Sequence, residues 1–243
     1  MKKSTIIAAC AAMALTGLAT SAAAQDAIAA AVADPDRPAG DVARDEARKP
    51  AEIVAFAGVK AGDTVIEFAP GRGYYTRILS RVVGPQGKVF IVVPPPRNGG
   101  TRMVDDATAL ADSLPNVSLV VGELDSFDTG EQADLAWTTE NFHDFHNGWV
   151  DPRDFVARTY DSLKPGGIFF IEDHEAAAGA GDTVVGTLHR IDPEFVIEEL
   201  QVAGFRFDAA SQVLDNPADG HDLGVRDFDG VTDKFAFRFR KPE

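Results

Sequence analysis

The chain contains one cysteine in 243 residues, Cys10, which excludes an internal disulfide framework and any metal site built from several thiolates. Positive charge is scarce as well. Lys and Arg number 23 against 38 Asp and Glu, a formal charge of −15, and so acidic a surface repels a phosphate backbone everywhere except at a local basic patch. Nucleic acid is therefore not an expected partner. No internal repeat or heptad runs through the sequence, which excludes solenoids and coiled coils.

Long apolar runs are missing outside the N-terminus, and there the pattern is that of an export signal. Lys2 and Lys3 precede an apolar run from Ile6 to Leu15, and Ala22-Ala23-Ala24 stand before Gln25. The expectation is a signal over residues 1–24, cleaved to leave a periplasmic or secreted protein. The segment is too rich in Ala, Ser, Thr and Gly to be a good permanent anchor, so no stable membrane insertion is expected after cleavage. Cleavage removes two lysines and no acid, taking the formal charge from −15 to −17, and it removes the only cysteine. About 200 residues remain, one domain's worth with enough chain to bury a full core. Residues 25–40, with Pro35 and Pro38, read as a linker, and 41–243 as the folded domain.

Within that domain apolar strands alternate with helices. Strands are expected at 64–69, 88–93, 117–122, 133–138, 167–172, 205–213 and 233–240, and helices at 74–83, 102–113, 152–163 and 193–203. Such alternation implies a mainly parallel sheet covered on both faces. The last strand, Lys234-Phe235-Ala236-Phe237-Arg238-Phe239-Arg240, places its phenylalanines on one face and mostly polar residues on the other, as in an antiparallel strand covered on one side. The Ala- and Gly-rich stretch 176–186 reads as a mobile loop able to act as a lid, and 215–233 as a second long connection.

The most informative stretch is Val65-Ile66-Glu67-Phe68-Ala69-Pro70-Gly71-Arg72-Gly73-Tyr74. An apolar strand carries an acid near its end, then a glycine-containing turn opens into a helix. Glycines 71 and 73 let a ligand approach the backbone, and the helix start aims free N–H groups at it. The segment resembles the first motif of class I S-adenosylmethionine (SAM) methyltransferases, with Ala69 in place of the first glycine. The nicotinamide-dinucleotide fingerprint fits less well, because Thr76 stands where its third glycine belongs. Leu163-Lys164-Pro165-Gly166-Gly167 before an apolar strand is similar to the turn that precedes strand five in the same family.

The chain looks in particular like a family of exported predicted methyltransferases, and the resemblance covers roughly residue 41 to the end. It implies a Rossmann-like α/β fold with a seven-stranded sheet in the order 3-2-1-4-5-7-6, strand 7 antiparallel. It also implies SAM as cofactor and a small-molecule acceptor. Carried over by position, it assigns Glu67, Ala69, Gly71 and Gly73 to the cofactor's amino-acid end, Glu123 and Asp125 to adenine, and Asn141 and Phe142 to the cofactor wall. His143 is the candidate general base, since imidazole titrates near neutrality. The acid that holds the ribose at the end of strand two is absent, because the chain reads Val92-Val93-Pro94-Pro95-Pro96 there.

Two further readings come from the same residues. A non-catalytic binding protein accommodates the missing ribose acid and the export signal. A metal-assisted hydrolase or lyase would use His143, His146, Asp173 and His174 at the tips of strands four and five. The spacing of His143 and His146 does not match a helical metal pair, so no metal ligands are assigned. Arg190 is read either as a substrate-anion contact or as a surface ion-pair residue.

Overall fold

The computed structural model describes residues 22–97 and 99–243. Residues 1–21, which carry most of the expected signal, lie outside the described residues. Among the described residues no helix is long and apolar enough to cross a membrane.

The chain enters through helix α1 (22–32), where the sequence suggested a linker from residue 25. Ile28 and Ala31 are buried, 4 % and 3 % exposed, in the main core cluster. Alanine is the strongest helix former, and Pro35 and Pro38 fall beyond the helix rather than inside it. The expected cleavage point before Gln25 lies in its first turn. Three short helices follow: α2 (Ala39–Val42), α3 (Asp45–Arg48) and α4 (Pro50–Ala57). Pro50 opens α4, where its missing N–H costs nothing.

Seven strands then form one sheet: β1 (Thr64–Phe68), β2 (Lys88–Val93), β3 (Val117–Val121), β4 (Ala133–Thr139), β5 (Leu163–His174), β6 (Arg206–Ser211) and β7 (Lys234–Arg240). Their order is β3-β2-β1-β4-β5-β7-β6. β1 to β5 pair in parallel, and β7 runs antiparallel to both β5 and β6. Alternation sends successive side chains to opposite faces. Val65, Val89, Ile91, Leu135 and Trp137 join a core with α5 (Tyr74–Val83) and α6 (Arg102–Ser113). Ile66, Phe68, Val92, Ala136 and Phe169 join another with α8 (Pro152–Ser162) and α10 (Pro193–Val202). The chain between β4 and α8 adds α7 (Phe142–Asp144) and a five-residue π turn (Phe145–Trp149), and that between β5 and α10 adds α9 (Val185–Leu188).

Three local expectations are revised. β7 is covered on both faces: the Arg238 guanidinium donates to the Phe56 carbonyl at 2.9 Å, and Lys234 is buried. The Lys164–Gly167 turn is built into the start of β5 and bonded to the chain after β7, with Gly166 N–H donating to the Lys241 carbonyl at 3.0 Å and Lys241 N–H to the Gly167 carbonyl at 2.9 Å. The 176–186 loop is fastened rather than free. Gly179 and Gly181 N–H donate to Asp192 Oδ2 at 2.7 and 3.3 Å, and the same carboxylate caps α10.

Candidate cofactor site

At the C-terminal end of β1 the backbone turns through three left-handed residues, Ala69 (φ 46°), Gly71 (φ 57°) and Gly73 (φ 81°), before α5 begins. The two glycines serve different ends. A Cβ at Gly71 would meet nothing within 4 Å, whereas one at Gly73 would lie 2.4 Å from Leu110 Cδ2 on α6. Gly71 therefore leaves room for a ligand, and Gly73 makes room for a neighbouring helix. Ala69 accepts the left-handed strain of a non-glycine residue. It is held by its N–H to the Val92 carbonyl (2.9 Å) and by Asn141 Nδ2 on its own carbonyl (3.1 Å).

Above Gly71 opens a cavity of about 590 Å³. Glu67, Ala69, Pro70, Gly71 and Arg72 form its floor, and Thr139, Glu140 and Asn141 from the tip of β4 form one wall. Asp41 and Arg44 from the α2–α3 region, with Arg48, form a roof. The roof is fixed by charge and by aromatic contact. Arg77 donates to Asp41 Oδ2 at 2.9 Å, Arg37 binds Asp45 through two bonds of 2.8 and 2.7 Å, and the Arg44 and Arg48 guanidinium groups each lie 4.8 Å from the Tyr74 ring centre. Glu140, another left-handed residue (φ 56°), pairs with Arg48 and with Lys234. A smaller, more apolar cavity of about 260 Å³ lies beside the first, lined by Pro94–Pro96, Arg97, Gly100 and Val104, and the two share Met103 and Trp149.

Glu67 is the buried acid of the floor, 3 % exposed. Burial raises its carboxyl to about 7, against the opposing pull of the Thr76 hydroxyl, which donates to Oε2 at 2.6 Å, and of Arg77. A raised carboxyl favours the protonated folded state. Stability is thus unaffected below the ordinary value of 4.5, falls as pH climbs from 4.5 to about 7, and is level above that. The full loss is roughly 3 kcal/mol. A Glu67→Gln variant removes this dependence, so its melting temperature relative to wild type should rise by several degrees between pH 5 and pH 8. A difference that does not change with pH would show that Glu67 is not desolvated as described.

No protein-family model and no curated relative matches the sequence. Solved structures do match. A SAM-dependent methyltransferase from Aquifex aeolicus superposes with a TM-score of 0.59 at 20 % identity, over 86 % of this chain and 96 % of that one. The [4+2]-cyclase SpnF gives 0.57 at 14 %, over 80 % and 82 %. The glycopeptide N-methyltransferase MtfA, complexed with sinefungin, gives 0.55 at 17 %, over 81 % and 93 %. The chain has the class I methyltransferase fold.

In the class I methyltransferase fold, as in open α/β sheets generally, ligands bind outside the carboxyl ends of the parallel strands. Both cavities lie at that edge. The residues assigned from the class I pattern divide accordingly. Glu67, Ala69, Gly71 and Asn141 line the larger cavity, although Asn141 spends its amide on the Phe68 and Ala69 carbonyls and its oxygen on the Thr138 hydroxyl, tying β1 to β4. Gly73 does not line it. Glu123 is paired with Arg97 at 2.8 Å, outside both cavities though bound to a residue of the smaller one. Asp125 is exposed and accepts from Ser126. Phe142 is fully buried among Phe145, Phe155 and Phe169, a core residue and not a cofactor wall.

His143 is also not where a general base should be. It is 3 % exposed and lines neither cavity. Its Nδ1 lies 2.8 Å from Asp173 Oδ1, and its backbone N–H donates to Asp173 Oδ2 at 2.7 Å. Burial works against its protonation, but Asp173 outweighs that and holds the imidazole above its ordinary value. The neighbouring His174 is pushed down to about 3 by burial and bonds the Thr232 hydroxyl at 2.7 Å. His146 lies 3.1 Å from Glu199, away from both. Arg190 is neither a surface residue nor an anion site: it is completely buried and bound to Asp219.

Sequence reasoning missed the roof and Trp149. The signal available was a group of basic residues, Arg44, Arg48, Arg72 and Arg77, in an otherwise acidic chain. All four reach the larger cavity.

Proposed function

We propose that the protein catalyses SAM-dependent methyl transfer to a small-molecule acceptor held under the α2–α3 roof. The observation that carries this reading is the vacant Cβ position of Gly71 beneath a cavity of about 590 Å³ that borders an apolar annex. The residues present suit the cofactor. Gly71 admits close backbone approach, Glu67 faces the amino-acid end, and Met103, Trp149 and Pro94–Pro96 offer apolar surface to a purine. SAM, when bound, supplies an electrophilic methyl group on a sulfonium.

The protein's part is to bind, orient and exclude water, and positioning of this kind accounts for a large share of the rate in such transfers. Arg44, Arg48 and Arg72 give the cavity cationic groups able to hold a carboxylate or another anionic part of the acceptor. With His143 behind the wall, Glu67 is the titratable group of the floor that changes charge near neutrality. An acceptor already nucleophilic at working pH is the better match.

A second reading, a binding protein without turnover, is favoured by the lining of the smaller cavity, which contains no carboxylate. Calorimetry of the purified full chain tests the cofactor itself. SAM and S-adenosylhomocysteine are expected to bind at one site with micromolar Kd, and NAD⁺ at the same concentration is expected to give no heat. Binding of NAD⁺ without SAM, or of neither, would overturn the proposal.

A further inference from the structure

We propose that His143, Asp144 and His189 form a site for a divalent cation of the zinc type, distinct from the cavity over Gly71. α7, just after β4, supplies the first two residues, and His189 ends α9 after β5. The three side chains each offer one ligand atom, and those atoms lie within 4.8 Å of one another. His143 Nε2 is 3.5 Å and His189 Nδ1 is 3.6 Å from the same oxygen, Asp144 Oδ1.

These separations are too long for good hydrogen bonds. They are close to the edge of a tetrahedron with metal–ligand bonds of about 2.0–2.1 Å, which is roughly 3.4 Å. Two imidazoles and a carboxylate are a donor set that suits zinc, and three protein ligands leave a fourth position for water or a substrate atom.

The surroundings strengthen the assignment. Asp173, fully buried, accepts from both the His143 ring and its backbone N–H. With Nδ1–H donating to Asp173, Nε2 is the ring nitrogen on the Asp144 side, the carboxylate–histidine–metal arrangement by which proteins fix a ligand's tautomer and direction. His189 is held at φ 55°, left-handed for a non-glycine residue, a strained conformation of the sort that persists where the surroundings fix it. Its side chain is 32 % exposed and that of Asp144 23 %, so a cation has a way in.

A comparable trio, Glu175, His221 and Asp233, is different. There His221 Nε2 and Asp233 Oδ2 are 3.0 Å apart, an ordinary hydrogen bond that needs no ion. The metal set also departs from the one considered at the sequence level: Asp173 becomes the supporting carboxylate, and His146 and His174 take other partners. None of the three residues lines the cavity over Gly71, so the cation site does not depend on SAM.

The test is calorimetric titration of the chelator-stripped full chain with Zn²⁺, together with absorption after Co²⁺ loading. The expected result is one equivalent per chain, with the intense visible bands of four-coordinate cobalt. Affinity should fall at least tenfold in His189→Ala and in Asp144→Asn and stay unchanged in His221→Ala. Both ligand variants alter partly exposed side chains, and circular dichroism run beside the titration checks that each is folded. Failure to bind at micromolar zinc, binding that survives either ligand variant, or loss on changing His221 would overturn the proposal.

Discussion

A Gly71→Val variant is expected to lose SAM affinity by at least 100-fold while remaining folded, and Gly73→Ala to lose stability while still binding. The two glycines are two residues apart and both left-handed, yet a side chain at each meets a different environment. At Gly71 it enters open cavity. The left-handed strain costs about 1–2 kcal/mol, a fall of several degrees in Tm for a chain of this size. At Gly73 a Cβ would sit 2.4 and 2.6 Å from the two Leu110 methyls, inside the core shared by α5 and α6. Leu110 must leave its packing, at a cost of about 1–3 kcal/mol added to the backbone strain. Calorimetry with SAM, run beside thermal melts, separates the effects. Normal binding by Gly71→Val would remove this turn from the pocket, and a Gly73→Ala protein that melts like wild type but cannot bind would place Gly73 under the ligand instead.

Arg190→Ala is expected to destabilise the fold by about 3–5 kcal/mol, the usual consequence of leaving one member of a buried ion pair without its partner. The guanidinium is 0 % exposed. It donates to Asp219 at 3.1 and 2.8 Å and to the Leu223 and Glu175 carbonyls at 2.9 Å each. One side chain thus fastens the long 215–233 connection to the end of β5, and Asp219 in turn accepts from the backbone of His221 and Asp233. The melting temperature should drop by roughly 6–20 °C. A drop under 2 °C would mean that the connection is held by other contacts.

The bounds of most elements were legible because they depend on short-range pattern: apolar strands, amphipathic helices, and glycine or proline between them; the sheet order followed only from the resemblance to class I methyltransferases. α5 and α6 lie at the residues the pattern indicates. Long-range contacts were not legible. Nothing near Gly73 says that Leu110 will press against it, and nothing near His143 says that Asp173, thirty residues on, will take its ring nitrogen. Composition also misled at 25–40, where the prolines suggested a linker but the alanines before them formed a helix with a buried face. The roof escaped for a related reason. Nothing near Arg44 and Arg48 in the sequence marks them as part of a cavity, and only the fold brings Tyr74 and Glu140 to them.

The most direct measurement is a crystal structure of the protein soaked with S-adenosylhomocysteine. Ligand density is expected across both cavities, with the amino-acid end over Gly71 beside Glu67 and the purine between Met103 and Trp149. Density at another place on the molecule, or none at a concentration that saturates the protein in solution, would contradict that expectation.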